Sequence, residues 1–241
     1  MNKRNYQKEL DKLIEKNQKK GETPRLFLHA CCAPCSSYVM EYLSQYFEIT
    51  IFFYNPNITP EEEYAHRVAE IRRLIGEMEF SHPVTLVEGR YDTKEFYEMA
   101  RGLEEIPEGG ERCFKCYRLR MEETARLAKT GGYDYFTTTL SISPLKNVQK
   151  INEIGEELAE IYEVPHLTSD FKKRMDTSVL LSCPMSMICT GRIIVAVFFR
   201  KKKHRKETEK EPWKIPGIKK KQYSFLKETG RENNTSRPVF K

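Results

Sequence analysis

Apolar residues recur along the chain with two alternating periods, and that alternation predicts the architecture. Residues 6–20 place Leu10, Leu13 and Ile14 on one face of a polar, amphipathic helix. The apolar run 25–29 (RLFLH) predicts a strand, and residues 36–46 return to helical spacing with Tyr38, Val39, Tyr42 and Leu43 inward. A second strand is expected over 48–54 (EITIFFY), ended by Asn55-Pro56-Asn57. At Thr59-Pro60-Glu61-Glu62 the residues suit a helix start: Thr59 as cap, Pro60 in the first helical position, Glu62 completing a capping box. That helix should run to about Ile75, before Gly76. The same reading gives a third strand at 84–87, a helix at 94–101, a loop at 102–112 and a helix at 116–129. A fourth strand at 135–138 and a helix at 148–162 complete it.

Strands alternating with helices imply right-handed crossovers and a parallel sheet with flanking helices, an α/β fold. Ligands of such sheets gather where strands end and helices begin. The segments 30–35 and 139–146 both lie at such junctions.

With 241 residues the chain suits one good-sized domain plus a tail. The expected division is an α/β metal-binding domain over 1–174, opening with a leading helix within 1–22, and an irregular basic tail over 175–241. The first twenty residues are rich in Lys and Glu and read as no signal peptide. The apolar run 193–199 is far too short to span a bilayer. A cytoplasmic protein without a membrane partner is therefore expected, in a compartment that keeps thiols reduced. The net charge of +6 is uneven, with RKKKHRK over 200–206 and three lysines at 219–221. Such a run suits a solvated tail, or contact with a nucleic-acid backbone.

The chemistry is concentrated in cysteine. Cys31-Cys32-Ala33-Pro34-Cys35 follows the first strand, and Cys113-Phe114-Lys115-Cys116 comes roughly eighty residues later. Adjacent cysteines pair poorly with each other, so two such clusters point to a shared inorganic ligand. Each C-x-x-C pair is expected near a helix N-terminus, where the dipole and free N–H groups favour thiolates. Three readings remain: a tetrahedral zinc site clamping two loops, a thioredoxin-like dithiol, and an iron–sulfur cluster. The dithiol accounts for neither Cys31 nor the distant pair. Spacing alone leaves zinc and the cluster open.

Further blocks accompany the cysteines: His29-Ala30 before them, Phe53-Tyr54-Asn55-Pro56-Asn57-Ile58, Glu63-Tyr64 with Arg67, and Arg112 and Tyr117 flanking the second pair. Thr137-Thr138-Thr139-Leu140 with Ser143-Pro144, and Asp170-Phe171-Lys172-Lys173, complete the set. Over about residues 24–174 the chain resembles the QueH-type epoxyqueuosine reductases. The resemblance implies a nucleotide alpha-hydrolase-like (HUP, Rossmann-like) fold with a cysteine loop where relatives carry a phosphate loop. It implies a [4Fe–4S] cluster held by Cys31, Cys32, Cys113 and Cys116, and the last step of queuosine synthesis. That step is a two-electron deoxygenation of epoxyqueuosine in tRNA, fed by an electron donor the sequence does not name. Cys35 is then a spare thiol able to bind a second metal ion or to pack, packing being the expected role. Tyr54, Asn55, Thr139, Ser141, Ser143 and Lys146 lie in loops able to line a base pocket. Each also has an ordinary role, such as turn former or surface charge. His29 is a candidate proton donor, although a strand-end histidine is more often packed and hydrogen-bonded. From another class, a zinc-stabilised nucleotide- or RNA-binding module of the same fold accounts for the cysteines without redox chemistry.

Beyond Arg174 the chain leaves the family pattern. The family continues through Gly-Tyr-x-x-Ser to Tyr-Arg-Gln-x-Tyr-Cys-Gly-Cys, whose cysteines resemble a redox-active dithiol. This chain reads MDTSVLLSCPMSMICTGRIIVAVFFR over 175–200, with Cys183 and Cys189 outside that pattern. Joining the third base of each codon to the first two of the next forces glycine across Met175–Asp176. Across residues 188–200 the shifted frame permits Leu-Tyr-Arg-Gln-Asp-Tyr-Cys-Gly-Cys-x-Phe-Ser. We read this as a one-base loss near the Arg174 codon, so the basic run and the apolar 193–199 segment carry no functional reading. The tail is expected to pack poorly.

Overall fold

The computed structural model describes residues 4–173. The expectations about the tail, and Cys183 and Cys189 within it, lie outside the described residues.

Four strands form one parallel sheet in the order β3-β2-β1-β4. They are β1 (Arg25–His29), β2 (Glu48–Phe53), β3 (Val84–Glu88) and β4 (Tyr135–Thr138). Six helices connect or cover them: α1 (Tyr6–Lys20), α2 (Ala33–Leu43), α3 (Glu61–Glu77), α4 (Lys94–Ala100), α5 (Glu111–Thr130) and α6 (Val148–Tyr162). Arg25 is in register with Glu48, and Leu26 with Tyr135, so β1 is bonded on both sides. Period-two alternation sorts its side chains onto two faces. Leu26 and Leu28 of β1, with Ile49, Ile51 and Phe53 of β2, join α1, α2 and α3 in one apolar cluster. Phe27 and Phe52 face the other way and build a second cluster with α5 and α6, their rings stacked at 5.1 Å. Burial on both faces is what a parallel sheet requires.

The helix boundaries differ from the sequence reading in informative ways. Pro60 occupies the cap of α3, no side chain caps it, and the expected capping box does not form. Three glutamates in the first turn supply the favourable charge there instead. The helix also continues through Gly76, whose missing side chain faces open space. Helix α2 starts at Ala33, inside the cysteine segment, with Pro34 in its first turn. Helix α5 starts at Glu111, so Cys113 and Cys116 both lie on the helix. Among the described residues, no helix is long and apolar enough to cross a membrane.

Past α6 the chain returns along the outer edge of β4. Phe136 N–H donates to the Pro165 carbonyl (3.1 Å) and Leu167 N–H to that of Phe136 (2.9 Å). His166 thereby lies against Gly155 of α6, where a Cβ would fall 2.4 Å from the imidazole. Only glycine fits there. The residue as a whole is half-buried, but both ring nitrogens are buried with no partner. Burial lowers the His166 pKa to about 3, so the ring is neutral in the folded protein. The unfolded chain takes up a proton near pH 6.5 that the folded chain refuses. The stability this supplies is full above pH 6.5 and is lost as pH falls toward 3, at about 1.4 kcal/mol per pH unit. Denaturant titrations from pH 7 to 5 should show this slope reduced in His166→Leu; an unchanged slope would assign the acid sensitivity elsewhere.

Candidate metal centre

The sheet's connectivity reverses between β1 and β4. The chain passes from β1 to β2 and β3 on one side, then returns to β4 on the other. A crevice opens at the carboxyl ends of two strands whose connections leave in opposite directions. Both segments singled out by the sequence meet there. Beyond His29, Ala30 N–H still donates to the Phe52 carbonyl at 2.9 Å, and the cysteines follow at once. Beyond Thr138 the chain makes a short 3-10 turn, Thr139–Ile142.

Cys32 caps α2 with extended backbone, and Cys35 falls in the helix's first turn. The Sγ atoms of Cys31, Cys32 and Cys35 all lie within 4.8 Å of one another, with Cys31 and Cys32 3.8 Å apart. A metal–thiolate bond of about 2.3 Å gives a tetrahedral edge of about 3.8 Å, so this trio suits a single ion with an open position. Thr139 locks the loop through one hydroxyl. It accepts from the Cys31 N–H at 3.2 Å and donates to the Cys31 sulfur at 3.5 Å. Cys31 is held well below the ordinary thiol range by hydrogen bonds from Cys32, Cys35 and Thr139 and by the Lys146 charge. Donating to Cys31 pushes Cys32 up to about 12, and Cys35 rises for the same reason.

The second pair sits on α5 three residues apart, which puts both thiols on one helix face. Gly109 has φ +88°, a conformation that favours glycine, and its N–H donates to the Cys113 sulfur at 3.3 Å. Cys116 is buried, whereas Cys113 is half-buried. Cys113 and Cys31 pack against the same apolar cluster, while Cys35 packs against the opposite one. Cys113 and Cys116 do not join the 4.8 Å trio.

What joins the two loops is a polar chain under the crevice. Asn55 donates from Nδ2 to the Ala30 carbonyl at 2.8 Å and accepts on Oδ1 from Arg120 Nη1 at 3.3 Å. Arg120 Nε in turn donates to the Cys116 carbonyl at 3.1 Å. One asparagine and one arginine thus tie the residue before Cys31 to the helical turn that carries Cys116. Arg120 escaped the sequence reading because Arg118-Leu119-Arg120 looks like the solvated face of an amphipathic helix. Its spacing four residues after Cys116 was the available signal.

His29 is fully buried. Its Nε2–H donates to the Tyr54 carbonyl at 3.0 Å, and Nδ1 accepts from the Thr138 hydroxyl at 2.8 Å. That tautomer follows from the partners: a carbonyl only accepts, and Thr138 Oγ1 already accepts the Leu140 N–H. Burial first, then the Arg120 charge, lowers the His29 pKa to about 3. A proton donor at neutral pH it is not.

The remaining candidates divide. Tyr54 is buried and donates its hydroxyl to Glu95, with the Arg90 guanidinium 5.3 Å from its ring centre. Asn55 and Thr139 are buried and bonded inward, and the Ser141 hydroxyl is paired with that of Ser169 at 2.8 Å. Ser143 and Lys146 are half-exposed on the β4–α6 loop, and the Lys146 charge reaches Cys31.

The sequence profile of a family described as Epoxyqueuosine reductase QueH matches residues 26–187. An "Epoxyqueuosine reductase QueH" of Staphylococcus epidermidis is 44% identical over 173 residues, covering 70% of this chain and 73% of its own. Proteins of that name from Streptococcus pyogenes and Staphylococcus aureus are each 40% identical, covering 70% of this chain and 67% and 72% of their own.

The polar chain predicts the effect of breaking it. Asn55→Ala leaves the Ala30 carbonyl unpaired and takes an acceptor from a buried cation. It should lower unfolding free energy by about 2–3 kcal/mol. A denaturant midpoint equal to wild type would show that the Asn55 amide is free for other partners.

Proposed function

The chain belongs to the epoxyqueuosine reductase QueH family, and from that premise we propose that it removes the epoxide oxygen of epoxyqueuosine in tRNA, giving queuosine and water. The observation that carries the reading is the polar bridge through Asn55 and Arg120, which ties the residue before Cys31 to the helical turn of Cys116. The donor set suits a thiolate-bound [4Fe–4S] group: two cysteines before α2 and two in the first turns of α5, the Cys31 thiol held well below its ordinary range, with a buried cation beneath. In this reading Cys31, Cys32, Cys113 and Cys116 hold the cluster. Cys35 remains as packing, or joins Cys31 and Cys32 around a second ion, a spacing the trio's 3.8 Å and 4.8 Å separations favour.

When bound, such a group supplies electrons singly, which suits a deoxygenation that consumes two electrons and two protons. The protein's own residues do the rest. Cys31 is anchored at its N–H and at its sulfur by Thr139. His29, neutral and bonded at both nitrogens, fixes the end of β1 against β2 and β4 and moves no proton. Lys146 and Ser143 stand at the rim, where an ammonium can neutralise the departing oxygen and a hydroxyl can orient the ring. A single-stranded anticodon loop delivers its base to such a crevice without the cost of opening a duplex. A tRNA substrate and reduced thiols agree with a cytoplasmic enzyme fed by an electron donor. The second reading is a zinc-stabilised module without redox chemistry, and the tetrahedral spacing of the trio is what favours it.

Anaerobic purification separates the two. The reductase should be brown with broad visible absorbance that dithionite bleaches; a colourless protein holding one zinc sinks the cluster. Cys113→Ala and Cys116→Ala should each abolish the chromophore and its iron, whereas Cys35→Ala should keep them. Loss in Cys35→Ala with retention in Cys113→Ala would move the ligand set onto the trio.

The shifted reading frame makes a separate prediction. This chain lacks the Tyr-Cys-Gly-Cys segment, so it should turn over epoxyqueuosine-containing tRNA weakly or not at all. A protein with the frame restored near Arg174 should be active. Equal product from both, measured on digested tRNA, would show the segment to be dispensable.

A further inference from the structure

Arg120 carries a charge that its surroundings leave unanswered. Its side chain is 4% exposed, and its two hydrogen-bond acceptors, the Cys116 carbonyl and Asn55 Oδ1, are both neutral. Among the described residues, no carboxylate pairs with it. Other arginines of this chain do find acids: Arg126 holds Glu123, Arg90 holds Glu95 and Glu123, and Arg118 holds Glu157. Those are exposed pairs of small worth. Arg120 is buried, yet among the described residues no acid pairs with it, although an uncompensated buried charge is costly.

The geometry says where the missing charge belongs. Through Cys116 the guanidinium holds the carbonyl of one cysteine, and through Asn55 it holds the carbonyl just before another. Its charge reaches His29, two residues before Cys31. The groups in these two segments that can carry negative charge are the thiols. We propose that Arg120 is the counter-charge of the thiolate-bound group: a positioning residue that holds the two cysteine segments in register and stabilises the group's reduced form. This rests on the cluster reading above. Adding an electron makes a thiolate-bound cluster more negative, so a fixed cation nearby favours the reduced state and raises the potential. A purely structural clip would leave the potential alone.

The test uses the full chain, loaded with iron and sulfide anaerobically, as wild type, Arg120→Met and Arg120→Lys. Methionine fills similar space without charge; lysine keeps the charge and loses the fork. At the wild-type midpoint potential, the reduced-to-oxidised ratio of Arg120→Met should fall at least tenfold, about 59 mV for one electron. Arg120→Lys should stay within threefold. Without iron, Arg120→Met should unfold at a denaturant concentration no lower than wild type, because it removes a solitary charge. If Arg120→Met takes up no cluster while Arg120→Lys loads fully, the charge is required for assembly, which supports the proposal. Equal potentials in Arg120→Met and wild type, equal losses in both variants, or an iron-free Arg120→Met that fails to fold would overturn it. A colourless, zinc-holding wild type defeats the cluster reading instead. The variants are then compared by zinc affinity, with a tenfold loss expected in Arg120→Met alone and its absence overturning the counter-charge.

Discussion

A buried cation held by neutral oxygens is the interaction on which the crevice depends. Arg120 sits beneath the carboxyl ends of β1 and β2, and among the described residues no acid answers its charge. Everything above it is arranged by consequence. Asn55 accepts from the guanidinium on Oδ1, which leaves its Nδ2 to hold the Ala30 carbonyl. The cysteine loop therefore leaves β1 from a pinned position. On the other side, the same guanidinium bonds a carbonyl in the first turns of α5. A single side chain thus relates two cysteine pairs that lie about eighty residues apart in sequence.

The second constraint is neutrality of everything else at that level. His29, Thr138 and Tyr54 form a closed set in which each hydrogen-bonding atom has its complement and no charge resides. This division is economical in a low-dielectric interior, where a second unmatched charge of either sign would be costly. Among the trio, hydrogen bonds from Cys32, Cys35 and Thr139, with the Lys146 charge, hold Cys31 well below the ordinary thiol range.

Much of this fold was legible in sequence, because the signals were periodic. β1, β4, α1 and α6 begin and end where the hydrophobic spacing and the glycine and asparagine punctuation put them. The errors came where a local motif competed with tertiary packing. The Thr59–Glu62 segment spelled a capping box, yet Pro60 took the cap and three glutamates supplied charge instead. The cysteine segments concealed that α2 and α5 start early enough to carry Cys35 and Cys113 on helices, whereas Cys116 falls within the expected 116–129 helix. In the site, the cysteines were legible as motifs, while the inward roles of Asn55 and Thr139 were not. A polar residue after a strand reads equally well as a turn former, a substrate contact or a buried bridge. Only the third dimension decides among them. Arg120 was least legible, since a buried arginine without an acid violates the pattern by which arginines are usually assigned to surfaces.

The sheet, the six helices, both C-x-x-C pairs and the Asn55–Arg120 bridge all lie within the described residues 4–173. The contacts joining the two cysteine segments are therefore made wholly by the described part of the chain. The physical reason is topological. In a parallel sheet the ligand crevice is built by the strands at the connectivity reversal, here β1 and β4, and both are complete before residue 139.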